Sequence, residues 1–143
     1  MDELIKMLGQ IYDLLDQVNS ITINQTTVLL QSNETLDDEN DALAMLEGMV
    51  AYKEEVTNDL IALEKVFDTT YSKYKDKMTD PAYIKLFKDW VERIMTKKKE
   101  IVDAEQNNVI IMQALSKRSA RRMEIPKDAR QVVDAYKKHQ VKT

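Results

Sequence analysis

The chain has 143 residues, a net charge of −4, two glycines, two prolines and no cysteine. That length suits one domain with a core of its own, and so few chain breakers point to long helices rather than sheets. Without cysteine there is no disulfide framework, no zinc knuckle and no thiol nucleophile, so a reducing, cytoplasmic setting is expected.

The opening "MDELIKMLGQ" carries acid where a secretory signal carries base, and no apolar run approaches the roughly 20 residues of a membrane span. Neither export of the chain itself nor membrane insertion is expected. Leu4, Leu8, Ile11, Leu15 and Val18 step by four and three, which marks one face of a helix. The pattern blurs at "NSITINQTT", a polar, β-branched run of weak helix propensity. It resumes at Val28, Leu29 and Leu30, so the first helix is expected from about Asp2 to about Ser32. "SNETLDDEND" then offers Ser32, Asn33, Thr35 and Asp37 as N-caps, followed by acids that suit a helix N-terminus.

The second helix carries Ala42, Leu46, Met49, Lys53, Val56, Leu60, Leu63, Phe67, Thr70 and Tyr74, again in alternating steps of four and three. It should run to about Lys77, where "MTDPAY" breaks it. Asp80 is the expected N-cap of the third helix and Pro81 its first residue. That helix presents Ile84, Phe87, Val91, Ile94, Lys98, Ile101, Glu105, Asn108, Met112 and Leu115. The short connection makes helices 2 and 3 an antiparallel hairpin. Pro126 marks a further boundary, with a short helix expected from about Lys127 to His139. The predicted fold is all-α: an elongated antiparallel helical hairpin or three-helix bundle with coiled-coil-like packing. Residues 1–123 would form the bundle domain and 124–143 a basic C-terminal tail or short helix.

No catalytic signature is present. There is no Gly-rich phosphate loop, no Gly-x-Ser-x-Gly elbow and no Glu-x-x-His pair; the one histidine, His139, lies outside the three helices. "DDEND" lacks the glycine and distal glutamate of a calcium loop. The expectation is a protein that is not an enzyme and needs no metal or cofactor.

Lys53 falls in the apolar stripe of helix 2, and the hairpin places it near Glu105. A Lys53–Glu105 ion pair that fixes register is one expectation; a lysine that snorkels to solvent is the other. Four consecutive apolar residues, Val109, Ile110, Ile111 and Met112, cannot all face one seam of a helix. Helix 1 has a like surplus in Ile5, Met7 and Leu14. These seven residues either cover one another or form an apolar strip for a partner helix, and eight methionines favour an adaptable surface of the second kind.

The charge is divided along the chain. Residues 1–60 hold thirteen acidic and two basic residues, net −11, and residues 61–143 hold nineteen basic and twelve acidic, net +7. Arg121, Arg122, Val132, Val133 and Tyr136 are candidate docking residues of a basic tail drawn toward the acidic half. A nucleic-acid partner is not expected, because the tail has Tyr136 as its one aromatic and the body repels phosphate.

The stretch "QTTVLLQSNETLDDENDALAMLEGMVAYKEEVTNDLIALEKVF" resembles the small flagellar export chaperones of the FlgN/FliT type. Leu43, Leu46, Lys53, Leu60 and Leu63 stand where that pattern puts them, and "AEQNNVIIMQAL" is similar to the apolar helix near the end of such chains. The likeness covers about residues 25–115. It implies a cytoplasmic, α-helical chaperone that binds a helical segment of a filament-associated subunit and delivers it to the export machinery, with the tail as a contact to that machinery. The alternative is a coiled-coil scaffold that pairs with a second copy of itself.

Overall fold

The computed structural model describes residues 2–31 and 39–121, with side chains for 2–31 and 42–117. Three helices account for nearly all of them: α1 (Asp2–Gln31), α2 (Glu39–Tyr74) and α3 (Pro81–Arg121). A 3-10 turn at Lys75–Lys77 closes α2, so the helix proper ends three residues before the expected Lys77. No strand occurs among the described residues. The proposed N-caps Ser32 to Asp37 and the proposed helix 127–139 lie outside the described residues.

The start of α3 follows from its sequence. The Asp80 carboxylate accepts a hydrogen bond from the Ala82 N–H at 3.1 Å, and the Asp80 carbonyl accepts from the Ile84 N–H at 3.0 Å. Pro81 occupies the first helical position, where a missing N–H costs nothing.

Helix α1 runs unbroken through "NSITINQTT". Its buried positions continue the early steps of four and three: Leu4, Leu8, Ile11, Leu15, Val18, Thr22, Gln25 and Leu29. Thr27 turns its hydroxyl onto the Ile23 carbonyl at 3.3 Å, and the Thr26 hydroxyl shares its one proton between the Thr22 carbonyl, at 3.2 Å, and Asn108 on α3.

The chain divides into two compact units, each built from a segment of all three helices. Unit 1 comprises Met1–Ser20 and Lys53–Val102. Its core holds Leu8, Ile11, Leu15, Leu60 and Ile94, with Leu63, Phe67, Val91 and Ile101 packed around them. Glu64 bridges to Lys98 at 3.1 Å, and the rings of Phe67 and Tyr71 stack on Phe87 with centroids 6.2 and 5.5 Å apart. As numbering rises on α2 it falls on α3, so this pair is antiparallel, as the sequence predicts. Helix α1 is parallel to α3 here. Tyr12 meets Trp90 edge to face at 6.1 Å, and Asp16 meets Lys97 at 3.5 Å. The Arg93 guanidinium lies 4.3 Å from the Trp90 ring and 4.9 Å from the Tyr12 ring, which adds cation–π attraction at the α1–α3 seam.

Unit 2 comprises Ile21–Tyr52 and the chain from Asp103 onward. Val28, Leu29, Leu43, Leu46 and Met112 form its core, with Ala42, Met49, Val50, Ile111 and Leu115 packed against it.

Candidate functional site

Two features stand out, one in each unit. The first is a polar layer inside unit 2. Thr22, Gln25 and Asn108 have no exposed surface. Heptad steps from Val18 on α1 and from Ile101 on α3 carry these residues into core positions that an ordinary bundle fills with Leu or Ile. The Asn108 side-chain amide donates to the Thr22 carbonyl at 3.1 Å, and its Oδ1 accepts from the Thr26 hydroxyl. The Thr22 hydroxyl donates to Glu105 Oε1 at 3.4 Å. Thr22, Thr26, Glu105 and Asn108 together join α1 to α3 through polar atoms that would be costly to bury alone.

The second feature is an exposed apolar row in unit 1. Met95 is 64 % exposed, Val102 53 % and Ile61 46 %. Met95 and Val102 are seven residues apart on α3 and so share one face. Ile61 lies on α2 one turn from Glu64, whose bridge to Lys98 brings it to the same side. An open depression beside the row is lined by Pro81, Ile84, Lys88 and Val91, among others.

The residues singled out from the sequence fall into several places. In unit 1, Ile5 and Leu14 pack against the core and Met7 is half-buried. In unit 2, Met112 is a core residue, 3 % exposed, and Ile111 packs against that core. Val109 and Ile110 are exposed, at 41 and 63 %. The apolar surplus is therefore mostly cover for the neighbouring helix, and only Val109 and Ile110 remain as surface. Lys53 is half-buried on the inward stripe of α2, and Glu105, also half-buried, faces Thr22 of α1. Arg121 is the last residue of α3; its side chain, with Arg122, Val132, Val133 and Tyr136, lies outside the described residues.

Sequence reasoning missed both the polar layer and the row. Extending the steps of α1 past Val18 lands on Thr22, Gln25 and Leu29, a signal masked by the polarity of the run. The row on α3 belongs to a second set of heptad steps, 84, 88, 91, 95, 98 and 102, that two lysines interrupt.

Among the described residues no group of three or more His, Cys, Asp or Glu could hold a metal ion, and no helix is long and apolar enough to cross a membrane. No known protein family matches the chain, and no curated protein or solved structure matches it significantly. The fold thus defines an all-α helical bundle with a polar layer in one unit and an apolar row on the other.

Proposed function

We propose that this chain is a non-enzymatic, cytoplasmic chaperone or adaptor that captures a helical segment of a client protein. In the most specific form of the reading the client is a filament-associated subunit awaiting export, and the basic C-terminal stretch contacts the export machinery. The observation that carries the capture is the exposed row Ile61, Met95 and Val102, apolar side chains at helical spacing beside an open depression. Methionine suits such a role because its flexible thioether repacks around varied partners. The flagellar part of the reading is supported by the resemblance over about residues 25–115.

A second reading is a homo-oligomeric coiled-coil scaffold, supported by the same exposed heptad spacing. Light scattering on a size-exclusion column separates the two. The chain alone should elute with a concentration-independent monomer mass, and mixing it with C-terminal helical segments of filament-associated subunits should give a 1:1 complex with one of them. A chain that doubles its mass with concentration and ignores every segment overturns the chaperone reading in favour of the scaffold.

A further inference from the structure

We propose that the second half of α1, residues 21–31, is a strap that opens on its own: it leaves α2 and α3 and uncovers the core of unit 2 while unit 1 stays folded. The opening belongs to the free chain and is independent of helix capture at the row in unit 1.

The two halves of α1 are held by different chemistry. In unit 1, five apolar side chains of α1 are buried: Leu4, Leu8, Ile11, Leu15 and Val18. Tyr12 adds its edge-to-face contact with Trp90, and Asp16 its bridge to Lys97. From residue 21 on, the buried apolar residues are Ile21, Val28 and Leu29. Between Ile21 and Val28 the inward side chains are polar: Thr22, Gln25 and the half-buried Thr26. Thr22 and Thr26 are tied to Glu105 and Asn108 of α3 by hydrogen bonds. Release exchanges those bonds for bonds to water at a small net loss. Release of the first half moves five apolar side chains into water, which costs more.

The strap is also a weak helix in itself. Six of the eight residues 21–28 are β-branched. Residues 17–33 hold no charged side chain, so no ion pair reinforces a turn or crosses to a neighbour. No basic residue stands in the last turn to offset the helix dipole. Propensity and apolar burial are therefore lowest over the same stretch, and the division between the units falls at its start, between Ser20 and Ile21. Stretches of this kind open at a lower free energy than the whole domain. Leu43 and Leu46 of α2 and Ile111, Met112 and Leu115 of α3 belong to one cluster. They hold α2 and α3 together after release, and they are the apolar surface that the strap covers.

Native-state hydrogen exchange of the full chain, followed amide by amide by NMR at rising sub-denaturing urea, tests this. The amides of residues 25–31, whose helical acceptors lie within the strap, should exchange through one shared opening. Their rate should exceed that of residues 8–18 at least about a hundredfold. The amides of Leu46 and Met112 should stay as protected as those of unit 1. Asn24→Ala with Thr27→Ala, both at exposed sites, raises helix propensity without touching the core and should slow exchange over residues 25–31 about tenfold. Asp13→Ala, at an exposed site in the first half of α1, should leave that exchange unchanged. Four results overturn the proposal. Equal protection along all of α1 means that the helix opens as one. A loss graded back from Gln31 and confined to the last turn is end fraying. Loss at Leu46 and Met112 in the same step means that unit 2 unfolds whole. An unchanged rate in the Asn24→Ala, Thr27→Ala variant means that the strap's helix does not limit the opening.

Discussion

The side-chain amide of Asn108 on α3 donates to the backbone carbonyl of Thr22 on α1 at 3.1 Å, and neither residue has exposed surface. The Thr22 carbonyl already accepts bonds from its own helix, so this further donor from α3 ties one helix to the other at a fixed register. Asn108→Ala removes that tie and opens a cavity, while the Thr26 hydroxyl keeps the Thr22 carbonyl as its acceptor. It should cost about 2–3 kcal/mol in urea denaturation.

Replacing both members of the Thr26–Asn108 pair should act differently. Thr26→Val and Asn108→Leu together exchange hydrogen-bonded groups for apolar ones of similar shape, and leave the Thr22–Glu105 bond in place, which is expected to be neutral or stabilising. The loss should show in uniqueness, because a polar core position penalises helix alignments that leave it unpaired. Sedimentation velocity and the dispersion of an amide NMR spectrum read this out. A double variant that stays a sharp, single monomer would mean that the pair has no part in setting register.

Leu60 is a core residue of unit 1, packed with Leu15 and Ile94. Leu60→Ala should destabilise by about 2–5 kcal/mol, the range for truncating a buried leucine in a core that cannot fully collapse. An unchanged urea midpoint would show that α2 turns another face inward.

The two glycines are open to improvement. A Cβ at Gly9 would meet Trp90 at 3.8 Å, an ordinary contact, and one at Gly48 would meet nothing within 4 Å. Neither has a positive φ. Gly9→Ala and Gly48→Ala should each stabilise by roughly 0.5–1 kcal/mol, the helix-propensity difference. A loss of stability at Gly9 would reveal a tighter α1–α3 contact than the structure shows.

At alkaline pH stability should fall through two groups of unit 1. The hydrogen bond to Glu100 holds the Lys97 ammonium above its usual 10.5, with Glu100, Tyr12 and Asp16 adding electrostatic attraction against a smaller opposing effect of burial. Burial, then the charge of Asp2, raises the Tyr83 phenol above 10.0. Both groups keep their proton longer when folded. Their contribution is therefore complete below the unfolded values and is lost as pH rises through the folded ones. Urea midpoints should be flat near neutrality and decline above about pH 10, and Lys97→Met with Tyr83→Phe should lessen the decline. An identical decline in that double variant would place the alkaline sensitivity elsewhere.

The sequence made α2 and α3 legible because their apolar steps are strict. Val56 and Leu60 on α2 and Ile94 on α3 are buried where the steps put them, and the Asp80 cap and Pro81 mark the boundary. The middle of α1 was illegible because Thr and Asn are poor helix formers in isolation. Burial of Thr22 and Gln25 between neighbours outweighs that propensity. Asn108 was visible on the inward stripe of α3, but its partner was not, since Thr22 carries no apolar signal. Met112 shows the limit of counting apolar residues: a run of four must leave some outside, yet the run alone does not say which. The exposed Met95 and Val102 were hidden because Lys88 and Lys98 interrupt their set of steps, and Lys98 stood on the inward stripe of α3, whereas the structure has it half-exposed and bridged to Glu64.

Methionine methyl NMR tests helix capture at the α3 row most directly, because Met95 and Met112 sit at opposite extremes of exposure. The protein is labelled with 13C at its methionine methyl groups and titrated with a synthetic helical peptide that carries a Leu stripe at heptad spacing. The account predicts a large, saturable shift of the Met95 signal, assigned by Met95→Leu, while the Met112 signal stays in place. A titration in which Met112 shifts and Met95 does not would contradict it, since the peptide would then be entering the core of unit 2 rather than covering the open face of α3.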